Sequence, residues 1–245
     1  MKKSIYILLF ASCTILNWGC KKTPVCDCFE SAGNPAQETR VLPYFEQVYA
    51  QDNVNVVISI GYPEKVVIDG GSNLTHNISA TVSNNVLTLK NNNICNWLRS
   101  YKKSVITVYI TMPRVTYLTN AGVGNITSSD TIAMDSLQVR TTSAGDIDLL
   151  VNSVQIMGHA FGSGDITLSG NCTNFFCTFF SGTGFIYCNN LKTSYTFIST
   201  ASTGDCFVNA SGQLTAYIYQ RGNIYYTGSP IVSSLIKGPG QVIKE

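Results

Sequence analysis

This 245-residue chain is poor in charge, in histidine and in any sign of helix. No stretch carries a sustained apolar stripe at 3.6-residue spacing, which excludes helix bundles and alternating helix–strand architectures. Charged residues make up only 12% of the chain, and no basic stripe of the kind that grips nucleic acid occurs. The two histidines, His76 and His159, stand apart with no Ser or Cys arranged beside either, so no nucleophilic triad is readable. Nine cysteines contain no C-x-x-C pair, and Cys26-Asp27-Cys28 lacks histidine neighbours. Neither a metal site nor a cofactor is expected. No apolar run reaches the roughly 20 residues needed to span a bilayer as a helix.

What is present begins with an export signal. Lys2 and Lys3 precede the apolar run Ile5 to Leu16, and Gly19-Cys20 closes it. A basic head and a short apolar segment suit a secretory signal. A small residue directly before Cys resembles the lipobox of bacterial lipoproteins, which implies cleavage after residue 19 and diacylation of Cys20. Two acyl chains hold a protein on a membrane far more firmly than one. The expected address is an exported outer-membrane lipoprotein, on the periplasmic or the cell-surface face. Loss of residues 1–19 removes two of the 16 Lys and Arg residues and none of the 14 acids, leaving 14 of each sign. Residues 20–40, with two prolines and little apolar pattern, read as a flexible tether. Of the remaining cysteines, Cys188 and Cys206 read as buried free thiols acting as small hydrophobes.

From Val41 the pattern alternates with period two. Val54, Val56 and Ile58, then Val66 and Ile68, Leu87 and Leu89, and Val105 to Ile110 form short β-branched runs. Turn material such as Gly70-Gly71-Ser72 and Ser83-Asn84-Asn85 separates them. Residues 91–103 interrupt the series as a longer loop carrying Trp97, Arg99 and Tyr101.

The second half repeats. A glycine, a variable residue and an apolar residue recur as Gly124-Asn125-Ile126, Gly145-Asp146-Ile147, Gly164-Asp165-Ile166, Gly184-Phe185-Ile186, Gly204-Asp205-Cys206, Gly222-Asn223-Ile224 and Gly240-Gln241-Val242. Successive glycines lie 21, 19, 20, 20, 18 and 18 residues apart, too regular for chance. A period near twenty reads as one coil of a parallel β-helix, in which a lone coil cannot bury its apolar face but stacked coils can. The predicted fold is all-β: a right-handed parallel β-helix-like repeat over residues 118–245, preceded by short strands over 41–117. Positions two and four after each glycine should point inward, from Ile147 and Leu149 to Ile224 and Tyr226. The glycine should serve a corner where φ is positive and a Cβ would clash.

These Gly-Asp-Ile and Gly-Asn-Ile repeats resemble the head GIN domain family of Bacteroidetes lipoproteins. The opening Arg40-Val41-Leu42-Pro43-Tyr44-Phe45, Thr111-Met112-Pro113 and Gly228-Ser229-Pro230 fit it as well. The resemblance covers residues 40–245 and implies the β-helical fold. It carries the label of an autotransporter adhesin but assigns no ligand, and a fold alone implies no function.

Three groups of residues are candidates for a site. Asp146, Asp165 and Asp205 form an acidic ladder one position after the glycines, which a polysaccharide lyase or hydrolase could use. The series is broken at Phe185, and Asp and Asn are ordinary turn formers. Counting odd offsets back from the glycines places Phe161, Phe175, Phe179, Tyr217 and Tyr219 outward, with Met157, His159, Tyr195 and Phe197. Such a face suits sugar rings if bare. Alternatively residues 41–117 pack over it as a second layer, an arrangement favoured because a bare aromatic sheet aggregates. The third group is Trp97, Arg99 and Tyr101, able to grip an anionic glycan or headgroup, or forming only a solvated hairpin tip. The leading expectation is a non-enzymatic envelope module binding a glycan or a protein. An enzyme using the acids, or a purely structural envelope protein, is the alternative.

Overall fold

The computed structural model describes residues 31–94 and 105–245. The export segment, Cys20, and the loop residues Trp97, Arg99 and Tyr101 lie outside the described residues. Among the described residues, seventeen strands and one turn of 3-10 helix (Thr75–Asn77) make up a β-solenoid of about seven turns, each of about 19 residues.

The repeat builds the stack. Strands β9 (Ile126–Ser128), β11 (Ile147–Gly162), β12 (Ile166–Gly182), β13 (Ile186–Thr200), β14 (Cys206–Ile218), β15 (Ile224–Thr227) and β17 (Val242–Lys244) each start two residues after a repeat glycine. They pair in parallel register, so that Ile126, Ile147, Ile166, Ile186, Cys206, Ile224 and Val242 lie one above another. Strands β11 to β14 run 13 to 17 residues because each bends around the coil and continues onto a second sheet. That second sheet also holds β8 (Tyr117–Asn120), the end of β10 (Ile132–Thr141) and β16 (Ile231–Ile236). The expected inward positions are buried as far as Ile224, while Tyr226 is half-buried near the end of the stack.

Small residues lie beside the two largest core rings. Gly158 stacks on Cys177, and a Cβ on it would meet Cys177 Sγ at 3.1 Å and Phe175 Cε2 at 3.7 Å. This clearance admits Phe175, and Ala160 pairs with Phe179; the two rings are among the largest fully buried side chains of the described residues. Cys172, Cys177, Cys188 and Cys206 are buried free thiols in the same core. Burial pushes the Cys177 thiol up to about 12 and raises Cys188 and Cys206 well above the ordinary range. They are packing groups, inert as nucleophiles.

The repeat glycines answer to one constraint only. Their φ values are not positive; the left-handed glycines include Gly162 and Gly182, two residues ahead of Gly164 and Gly184. A Cβ on Gly145, Gly164, Gly184, Gly204, Gly222 or Gly240 would instead collide with the carbonyl oxygen of the preceding repeat glycine. The expectation of positive φ is therefore replaced by close axial approach of backbone to backbone.

The residue after each glycine completes that approach. Asn125 Oδ1 accepts the N–H of Asp146 at 3.2 Å, Asp146 Oδ1 that of Asp165 at 2.9 Å, and Asp165 Oδ1 that of Phe185 at 2.7 Å. Beyond Phe185, which has no acceptor, Asp205 Oδ1 accepts from Asn223 N at 2.7 Å and Asn223 Oδ1 from Gln241 N at 2.9 Å. The Asx side chains thus tie successive coils together, except across Phe185, rather than bonding to their own turn.

The first half extends the stack instead of covering it. Strands β2 (Gln47–Ala50) and β3 (Val54–Ile60) pair in parallel with β8 and β9, and β6 (Val86–Asn91) and β7 (Ile106–Met112) pair in parallel with β2 and β3. Antiparallel strands close this end: β5 (Ile78–Ser83) on β6, β4 (Lys65–Gly71) on β7, and β1 (Pro35–Arg40) on β4. The β5–β6 turn places Asn84 and Asn85 at φ 50° and 60°, as a tight hairpin requires. The second-layer arrangement is thereby overturned: parallel pairing consumes these strands' edges at the end of the rod, leaving none to lie on its side. Residues 35–40, read as the end of a tether, form a paired strand.

Two outcomes follow for stability. Gly204→Ala should lower stability by about 3 kcal/mol, because its methyl group meets the Gly184 carbonyl of a rigid coil. Gly61→Ala, whose Cβ would meet Thr111 Cγ2 only at 3.9 Å, should match the wild type in the same urea titration. Equal midpoints would remove the axial-contact explanation. Burial raises the Asp165 carboxyl above its usual range; the Phe185 N–H works against this and Asp146 adds to it. The folded state therefore binds this proton more tightly than the unfolded one, and the stability this group contributes is lost as pH rises from about 4 through the raised value. Asp165→Asn keeps the acceptor and loses that titration, so its stability relative to wild type should climb with pH across the carboxylate range. Asp165→Ala should lose about 1 kcal/mol. A neutral-pH loss in Asn equal to that in Ala would show that the charge is needed.

Candidate functional site

The outer face of the second sheet carries the chemistry that the core does not need. In one row across the strands stand Gln47, Tyr117, Gln138, Met157, Phe176 and Phe197; in the next stand Tyr49, Thr119, Arg140, His159, Thr178, Ser199 and Tyr217. These side chains alternate with the buried ladder, so they project from the rod without supporting it. Phe161 stacks on Phe180 with ring centres 4.8 Å apart, and the His159 ring lies 6.3 Å from Phe180. Phe176 meets Tyr195 at 5.5 Å, and Phe197 meets Tyr217 edge-on at 5.3 Å. Lys237 Nζ sits 5.6 Å over the exposed Tyr219 ring.

Of the expected aromatic set, Phe161, Tyr217 and Tyr219 lie on this face. Phe175 and Phe179 do not: they are 0% and 1% exposed and fill the interior. A bulge is the reason. Ala160 pairs with Phe179 but Phe161 pairs with Ser181, so Phe180 is an extra residue in its coil. One extra residue reverses every side chain counted back through it. The outward rings of that coil are therefore Phe176 and Phe180, the latter 51% exposed. Trp97, Arg99 and Tyr101 lie outside the described residues.

At the N-terminal end of the face, the rows open into a cleft of about 340 Å3 lined by Gln47, Tyr49, Tyr117, Thr119, Arg140 and Thr142, with Val48 and Val86. The guanidinium of Arg140 lies 5.1 Å over the Phe161 ring, which joins the cleft to the aromatic run. Burial, and secondarily the charge of Arg140, lowers the pKa of His159, leaving its imidazole neutral around pH 7. Its Nδ1 lies 2.8 Å from Thr178 Oγ1. Sequence reading missed this cleft because Gln47 and Arg140 are nearly a hundred positions apart.

A second aromatic column lies on the first sheet. Tyr187, Phe207 and Tyr225 stack at 5.5 and 5.0 Å, with Phe185 against Tyr187 at 5.6 Å. This column was legible, since each of the three stands three residues after a repeat glycine, an odd and outward offset. The acidic ladder shows a different occupation: one carboxylate oxygen of Asp146, Asp165 and Asp205 each accepts an axial backbone N–H. Among the described residues no three His, Cys, Asp or Glu side chains gather in a metal-holding cluster.

Known proteins share this architecture. The solved structure of a "putative adhesin" from Bacteroides fragilis superposes with a TM-score of 0.77 at 23% identity, covering 86% of this chain and 97% of that one. A "putative adhesin" from Parabacteroides distasonis gives 0.67 at 18%, covering 87% and 98%. A "putative lipid binding protein" from the same species gives 0.68 at 16%, covering 88% and 98%. At such identities the likeness establishes the fold alone. No curated protein matches the sequence. The family model described as "putative auto-transporter adhesin, head GIN domain" matches residues 44–230, and the chain belongs to that family.

Proposed function

We propose that this protein is a non-enzymatic binding module of the cell envelope, held at the outer membrane by lipidated Cys20, whose outer second-sheet face binds a glycan. The observation that carries the reading is the run of half-exposed rings from Phe161 and Phe180 to Phe197 and Tyr217, placed where the core makes no demand for them. Aromatic rings pack against the apolar C–H groups of pyranose rings, and the cleft beside them supplies hydroxyl and amide groups for sugar hydroxyls. The strands hold these rings at the fixed inter-strand spacing of the sheet, about 4.8 Å, so little ordering is required on binding. Adhesin-like family membership agrees with a displayed contact surface. A polysaccharide-cleaving enzyme would require an acid–base pair from the aspartate ladder, where each residue already has one oxygen bonded to the next coil.

The test is a glycan screen with the purified chain and two surface variants. Phe180→Ser and Tyr217→Ser remove outward rings and should leave thermal unfolding unchanged. Each should weaken binding of the captured glycan about tenfold, the order of one aromatic contact. Wild-type affinity in both variants would place the binding surface elsewhere, and cleavage of the glycan would overturn the non-enzymatic reading.

A further inference from the structure

The cleft at the end of the aromatic face contains a cation with no anion to match it. Among the described residues the ion pairs are Arg40–Glu38 and Arg114–Glu46. Arg140 takes part in neither, and its Nε is buried with no hydrogen-bond partner. None of the residues lining the cleft is acidic. Arginine in such a position is under-satisfied: a guanidinium presents five donors in a planar fork, and a buried donor without an acceptor is destabilising. Packing against the Phe161 ring partly offsets this. His159, in the next strand, is neutral and adds no competing charge.

With Nε closed off, the terminal Nη groups are the donors left to meet a carboxylate, whose charge the low-dielectric wall strengthens. The rest of the lining decides what bears that carboxylate. Tyr49 and Tyr117 provide ring faces, while Gln47, Thr119 and Thr142 provide groups that pair with hydroxyls. An acyl chain would find only Val48 and Val86 as aliphatic walls. We infer that the Arg140 cleft is the subsite for a uronic acid residue, and that the ligand is an acidic glycan running from this cleft along the aromatic face. The inference rests on the reading of that face as glycan-binding and names the class of glycan.

The experiment titrates the full chain with trigalacturonate and with its methyl ester, which keeps the rings and removes the charge, following the Arg140 Nε–Hε signal by NMR. The acid should bind about tenfold more tightly than the ester and shift the Arg140 signal. Arg140→Gln should bring the acid down to the affinity of the ester, and Arg140→Lys, with charge but no fork, should fall between. Because the acid–ester comparison uses the wild type, it stands even if a variant folds poorly. Equal affinities for acid and ester, with Phe180→Ser weakening both, would overturn the uronate subsite and leave the glycan reading standing. Absence of binding by either sugar would overturn the subsite, with the glycan screen then deciding the broader reading. Binding to phosphatidylglycerol vesicles in preference to trigalacturonate would overturn it in favour of a lipid headgroup.

Discussion

The molecule depends on how closely one coil's corner can approach the next. Parallel strands stack at about 4.8 Å, and at the repeat corner this brings the backbone of each glycine onto the carbonyl of the glycine before it. No side chain fits there. The same proximity makes the following position useful: an Asx side chain is short enough to reach the N–H of its counterpart one coil on. The third position then falls inward, where an aliphatic residue or a thiol stacks on its equivalents. The Gly-Asx-Ile pattern is thus three consequences of one distance.

That regularity also produces the surface. Once alternate residues are committed to the core, the others form rows across the outside, evenly spaced and oriented by the sheet. Residues far apart in the chain become neighbours in such rows, as Tyr49, Thr119, Arg140 and His159 do. A solenoid can therefore assemble an extended contact face without loops, and the N-terminal strands lengthen that face by joining the stack. The rings of this face and the unpaired guanidinium at its end are the features that packing leaves unexplained, which is why they carry the functional argument.

Much of the fold was readable because its constraint acts at short range. The glycine period, the inward positions from Ile147 to Ile224 and the thiols Cys188 and Cys206 all follow from local pattern. The failures share a physical origin. Phe175 and Phe179 were placed outside because a single inserted residue, Phe180, shifts the alternation, and nothing in the local sequence marks a bulge. Residues 41–117 alternate like the rest, but alternation cannot tell a strand that extends a stack from one that covers it. The Arg140 cleft needs the pairing of β2 with β8 and of β8 with β10, which is long-range information. The column Tyr187, Phe207 and Tyr225 was within reach, since the same offset rule that found the core also describes the opposite face.

If each coil contacts only its neighbours through the same ladders, a whole coil is dispensable. Deleting residues 185–204 joins Gly184 to Asp205 and lays β14 directly on β12, with Ile166 meeting Cys206 in the same ladder. Urea unfolding followed by far-UV circular dichroism is the measurement. A shortened chain that remains β-rich and unfolds cooperatively, with lower stability, is the result predicted by axial stacking. A chain that loses cooperative unfolding would contradict it, and would show that the fold depends on contacts spanning more than adjacent coils.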